Sequence, residues 1–405
     1  MRSLRPARYT AGGAHAVVPI GLEFKDLRTR NTDVPLLPIA MWVAAVMTSG
    51  ILALNYAVQV QDADDDFKAC TGAAGKDLLI HLLEDDGIFS QHALASWFGV
   101  GTLVLSLWCS VRATTLLGDG MLHTVWLRIQ AVVELALTLT LGALVFSVRS
   151  NASTVYGTGE AFIRGGCEAT GDKSTALKDR LDPAQVYVAL ALFGAALVAA
   201  HVVGFGDERK TRKEFDMRLV AGWAALMLAA SICGVVYYGK VHDLDTTLAL
   251  TGTDTCTATD GVAARASLEA YVTDGLMSQA GLAMSSFVLG FVLAIHGLVR
   301  GSDIDALDTS LSLGMDRTVT YRELMTALQR ILEIFFAATL SALMFSVRTN
   351  DDTAVGAGEA FTRAGCPGTL VDDDTAIYVG FILFMAALAL EDFFGLYKRA
   401  DDEVL

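Results

Sequence analysis

Phe146-Ser147-Val148-Arg149-Ser150-Asn151 runs on to Gly159-Glu160-Ala161-Phe162-Ile163-Arg164-Gly165-Gly166-Cys167, and the pattern returns 199 positions later. The second copy reads Phe345-Ser346-Val347-Arg348-Thr349-Asn350 and continues to Gly358-Glu359-Ala360-Phe361-Thr362-Arg363-Ala364-Gly365-Cys366, with no gap. A helical apolar run precedes each copy and carries one carboxylate at the same offset, Glu134 and Glu333. Identities in register over such a length read as a tandem duplication, so one repeat unit becomes the object to understand.

The runs before the two copies belong to a wider pattern. Of 405 residues, 53% are hydrophobic and only 19% charged. The apolar residues fall into eight blocks, about 36–58, 91–111, 129–148, 185–205, 219–238, 279–299, 328–347 and 376–396. Blocks of roughly 20 residues match the thickness of ~30 Å of hydrocarbon. A backbone in lipid must satisfy its own hydrogen bonds, and helices do so. The expected fold is an all-α polytopic membrane protein, with eight transmembrane helices as two tandem, tetraspan-like four-helix repeats. An even number of spans keeps both copies in one orientation, related by a pseudo-two-fold axis along the membrane normal. The expected parts are an arm (1–35), a first repeat (36–205), a basic linker (206–218), a second repeat (219–396) and an acidic tail (397–405).

Charge sets the expected orientation. The segments on the side of the termini hold 19 Lys/Arg and 18 Asp/Glu, whereas the opposite loops hold 11 and 25. Lys and Arg near membrane ends stay inside, which puts both termini in the cytoplasm. The overall charge of −15 then lies mainly on the exterior face, which suits cation attraction and excludes nucleic acid as a partner. Cys70, Cys167, Cys256 and Cys366 fall one to each exterior loop, the side where disulfides form. Four cysteines allow three pairings, and the repeat favours Cys70–Cys167 with Cys256–Cys366.

Local signals recur in both copies. Trp42 and Tyr56 return as Trp223 and Tyr237, read as aromatics at the membrane interface. Asp86-Gly87, then Ser90-Gln91, returns as Asp274-Gly275, then Ser278-Gln279, a turn followed by a helix cap. Gly99, Gly101, Gly194 and Gly290 suit close helix contacts. The last blocks align but differ at one end, where Glu391 and Asp392 stand in place of Ala200 and His201.

Two constellations are candidates for function. Glu134 and Glu333 lie inside spans, where a carboxylate costs at least ~2.5 kcal/mol and so suggests an ion path. The competing reading is a carboxylate bonded within the bundle, with Ser106, Trp108 and Ser110 as partners. Arg149, Glu160 and Arg164, with Arg348, Glu359 and Arg363, form the second set: either a rigid contact surface or internal ion pairs that fold the loop. The seven histidines are scattered without ligand spacing, and Asn151-Ala152-Ser153 is a sequon at the membrane edge, expected to be unused. No nucleotide-binding, nucleophile or zinc motif is present, so no metal, cofactor or enzyme activity is expected.

The plan of four spans with bridged exterior loops resembles tetraspan families such as claudins and MARVEL proteins in architecture alone, because the paired-cysteine signature of claudins is missing. The expected function is a non-enzymatic scaffold that packs laterally in the bilayer with itself or other membrane subunits. The alternative is a cation or proton channel or transporter using Glu134 and Glu333. That alternative expects both carboxylates in one cavity between the repeats; the scaffold expects two separately packed bundles, each satisfying its own glutamate.

Overall fold

The computed structural model describes residues 36–63, 67, 70, 72–85, 87–113, 121–167, 177–203, 214–215, 217–248, 261–302, 310–312, 318–353, 356–366, 370, 374–394 and 397–398. The 1–35 arm, most of the 206–218 linker, nearly all of the tail and Cys256 lie outside them.

The described chain is overwhelmingly helical. Its long helices are α1 (Leu36–Asp62), α3 (Gln91–Ala113), α4 (Met121–Arg149), α7 (Ala184–Val203), α8 (Met217–Leu248), α10 (Gln279–Gly301), α11 (Tyr321–Val347) and α13 (Thr375–Phe394). Short helices α2 (Ala73–Ile80), α5 (Gly157–Arg164), α6 (Leu177–Arg180), α9 (Gly261–Val272) and α12 (Gly356–Arg363) lie between them. Among the described residues, four strands of two or three residues form two small antiparallel pairs.

Six of the described helices (α1, α3, α4, α8, α10 and α11) are long and apolar enough to cross a membrane. The apolar parts of α7 and α13, Ala184–Ala199 and Thr375–Glu391, are shorter. A span of 23 residues, such as α10, extends about 35 Å at 1.5 Å per residue. Large apolar side chains on these helices stay exposed. Trp97, Val100, Val104 and Leu107 form one stripe along α3, at the three- and four-residue spacing that defines a helix face.

The helix starts follow from sequence. Pro38 sits in the first turn of α1, where its missing N–H costs little. Ser90 and Ser278 cap α3 and α10 by accepting from the N–H of Ala93 and of Gly281, each at 3.1 Å. The glycines before them, Gly87 and Gly275, take φ of 55° and 89°, as the Asp-Gly turn requires.

Helix α1 packs between α3 and α7, and α8 packs between α10 and α13. Helix α4 lies on α3 and α11 on α10; α4 and α11 then meet each other. That contact is close because its side chains are small. A Cβ on Gly142 would lie 2.9 Å from the Ala338 carbonyl oxygen, and Ser341 Oγ donates to Leu139 O at 2.6 Å. Residues 36–405 thus form one compact unit. The expected two separately packed bundles are not what this region builds, because α4–α11 packing joins them.

The small-residue expectation holds in part. Gly99 faces Leu54 and Gly50, and Gly290 faces Ser231, at distances that leave no room for a side chain. Gly194 has open space beside it. Trp42, Tyr56, Trp223 and Tyr237 are at most 4% exposed, so the aromatics expected at the membrane interface are core residues instead. For the tyrosines, the reason is a polar partner set at the hydroxyl.

Candidate functional site

Each tyrosine closes a buried ring with one glutamine and one asparagine. Tyr56 donates from its hydroxyl to Gln91 Oε1 at 2.5 Å, Gln91 Nε2 to Asn151 Oδ1 at 2.9 Å, and Asn151 Nδ2 back to Tyr56 at 2.8 Å. The second ring repeats the circuit. Tyr237 donates to Gln279 at 2.6 Å, Gln279 to Asn350 at 2.7 Å, and Asn350 to Tyr237 at 2.9 Å. All six side chains are buried, where an unmet polar group is costly. Each ring ties three helices together: α1, α3 and the end of α4, or α8, α10 and the end of α11. With its amide in this ring, Asn151 does not offer a sequon to solvent.

The loop that follows each ring is set by glycine. Gly157 and Gly356 take φ near 67° and 66°, and Gly166 and Gly365 near 63° and 67°. These start and end α5 and α12, and Cys167 and Cys366 come next. Cys70 is disulfide-bonded to Cys167, as expected. Cys366 is also in a disulfide; Cys256, its expected partner, lies outside the described residues.

The loop charges pair across the two halves. Arg164 Nη1 meets Glu359 Oε1 at 2.5 Å, and Arg363 Nη1 meets Glu160 Oε1 at 2.5 Å. Within each short helix the same residues stand at 3.7 Å, Arg164 to Glu160 and Arg363 to Glu359. Four partly buried groups therefore make one square. Arg149 and Arg348, placed with this set from sequence, are held differently. Arg149 Cζ stacks 4.6 Å from the Phe146 ring and 5.2 Å from Tyr156, and Arg348 Cζ stacks 4.6 Å from Phe89 and 4.8 Å from Phe345. Tyr156 in turn packs edge-on to Tyr271 of α9 at 5.1 Å. Burial holds the Tyr271 phenol above its ordinary pKa, partly offset by Arg149.

At the other end of α4 and α11 lie the two candidate carboxylates. Glu134 accepts from Gln130, one turn earlier on the same helix, at 2.6 Å. Ser106 and Ser110, offered as partners from sequence, donate instead to backbone carbonyls of their own helix. Glu333 sits in a richer cluster. Arg330 meets Glu333 at 2.8 Å and Glu391 of α13 at 3.3 Å, while Arg300 of α10 approaches Glu391 at 3.9 Å. Gln329 Nε2 also donates to both carboxylates, at 2.8 and 3.3 Å. Arg300, Gln329, Glu333 and Glu391 are all buried. His296, one turn before Arg300, is buried with neither ring nitrogen hydrogen-bonded among the described residues.

Sequence reading singled out Glu333 here and left Glu391 as a mere difference. A signal was available: where the first half has Ala131 and Ala200, the aligned positions of the second hold Arg330 and Glu391, a base and an acid together. Among the described residues no group of three or more His, Cys, Asp or Glu is placed to hold a metal ion. Compared with protein-family models, with curated proteins and with solved structures, the chain matches none.

Proposed function

We propose that this chain is an eight-span membrane protein of two tandem four-helix repeats, with both termini cytoplasmic, acting as a non-enzymatic scaffold that packs laterally with copies of itself or other membrane subunits. One observation carries the reading. Glu134 is held by Gln130, and Glu333 by Gln329 and Arg330, so each intramembrane carboxylate is bonded by side chains of its own half. Polar groups committed to internal bonds suit a rigid body better than a permeation path. The tandem repeat is supported by the two Tyr–Gln–Asn rings at corresponding positions, and the shorter α7 and α13 complete eight spans in this reading. The exposed apolar stripe on α3 provides a face for lipid or a neighbouring subunit.

A second reading, a proton or cation path, has one specific support. Glu333 and Glu391 converge on the same two donors beside His296, an arrangement able to gain or lose a proton. Flux through liposomes holding the purified protein separates the two. The scaffold reading expects no proton or cation flux above empty vesicles and multi-step photobleaching of labelled protein in bilayers. Flux that disappears in Glu134→Gln/Glu333→Gln would establish transport and displace the scaffold. Single-step bleaching at all densities would remove self-assembly.

A further inference from the structure

The most faithfully repeated stretch of the chain has a feature that neither reading of its arginines, as a contact surface or as loop ion pairs, explains. Phe146, Arg149 and Ser150 line one partly enclosed space with Phe345, Arg348 and Thr349, their counterparts 199 positions on. Ser147 with Ser346, and Gly157 with Gly356, complete the matched lining. The space lies where the two halves meet, beneath the Phe146–Phe345 contact at 5.9 Å. It admits water-sized groups over about 20 Å³, enough for the centre of one such group.

Its chemistry is one-sided. Two guanidinium groups and several hydroxyls line it, and among the described residues no carboxylate does. The neighbouring glutamates, Glu160 and Glu359, are engaged by Arg363 and Arg164. Stacking on Phe146 and Tyr156 covers the faces of the Arg149 guanidinium, which leaves its in-plane N–H groups as donors. Arg149 Nε and Nη2 are buried and have no hydrogen-bond partner among the described residues; Ser346 Oγ, on the opposite wall, is in the same condition. Buried donors of Arg149 without acceptors among the described residues, on a group that is itself positively charged, call for an acceptor that carries negative charge.

We infer that the space between Arg149 and Arg348 binds one small inorganic anion of halide size, held by both copies of the repeated motif at once. The size of the space selects a monatomic ion over phosphate, sulfate or a lipid headgroup. The anion links the halves by bonding to each, so its binding stabilises the joined state and is independent of whether the protein transports or assembles.

The test is thermal unfolding of the full chain in nanodiscs of neutral lipid, with sodium chloride exchanged for sodium gluconate at constant ionic strength. Chloride and bromide should raise Tm saturably, by about 2 °C or more over gluconate, and sulfate should not. In Arg149→Gln, and separately in Ser346→Ala, that halide-specific rise should vanish or shrink. Equal Tm in chloride and gluconate for the unaltered protein overturns the proposal without any variant. A rise as large with sulfate, or with anionic lipid, overturns the halide assignment. A full halide effect retained in Arg149→Gln removes the site from this place.

Discussion

Arg164 bonds Glu359 across the two halves at 2.5 Å, and Arg363 returns the bond to Glu160 at the same distance. The repeat alone does not distinguish this exchange from pairing inside each loop helix, since both use the same four residues. The exchange is favoured because it gives each carboxylate a near partner and a farther one, at 2.5 and 3.7 Å. Four alternating charges in a partly buried setting then support one another.

The first prediction follows from that square. Arg164→Ala and Glu359→Ala should each lower stability, and the double variant should lose less than the sum, with a coupling of about 1 kcal/mol or more. Denaturant unfolding of the four proteins of the cycle, in one detergent, measures it. Strict additivity would show that the contact contributes nothing to holding the halves.

The buried rings make a second prediction. Tyr56→Phe removes one hydroxyl and leaves Gln91 and Asn151 each short of a partner, at a cost of about 1–3 kcal/mol. Tyr237→Phe should cost a similar amount, because its ring has the same circuit. A Tyr56→Phe protein as stable as the parent would mean that water replaces the hydroxyl.

Glu391 supports a third. Glu391→Ala leaves Arg330 and Arg300 without the carboxylate they share, which should destabilise by about 3–5 kcal/mol. Adding Arg330→Met to that variant should deepen the loss, because it also takes from buried Glu333 the cation at 2.8 Å. If the second change costs nothing further, the ion pairs of this cluster are not the reason for the loss.

The bridge between Cys70 and Cys167 closes a sequence separation of 97 residues. Cys70→Ser and Cys167→Ser should each cost about 2–4 kcal/mol, and the double variant no more than either. Non-reducing peptide mapping should recover this pair, while the thiols of Cys109 and Cys233, which form no disulfide, should alkylate only after unfolding or slowly. Recovery of Cys70 linked to another cysteine would contradict the pairing.

The helices, their starts and the disulfide pair were legible because they depend on local pattern. Hydropathy marks a span, Asp-Gly before Ser marks a turn and a cap, and matched cysteines mark a bridge. The rings were not legible, although all their members recur. Tyr56 reads as an interfacial aromatic, Gln91 as part of a turn, and Asn151 as a sequon; only a fold brings positions 35 and 95 residues apart to one point. The cross-pairing of the loop helices was hidden for another reason. Where two stretches share one sequence pattern, a partner within the stretch and its equivalent in the other have the same sequence signature.

The crossing of Arg164 to Glu359 and Arg363 to Glu160 is the contact rule of a two-fold homodimer, where residue i of one subunit meets j of the other and j meets i. Here one polypeptide meets both terms. The residues of the interface are therefore self-complementary and need no covalent connection, so an N-terminal and a C-terminal half expressed as separate chains should find each other and co-purify. A single chain allows what a homodimer cannot have. A residue of one half, such as Glu391 beside Arg330, need not recur in the other, so the molecule holds a polar cluster on one side while the cross-paired square stays symmetric.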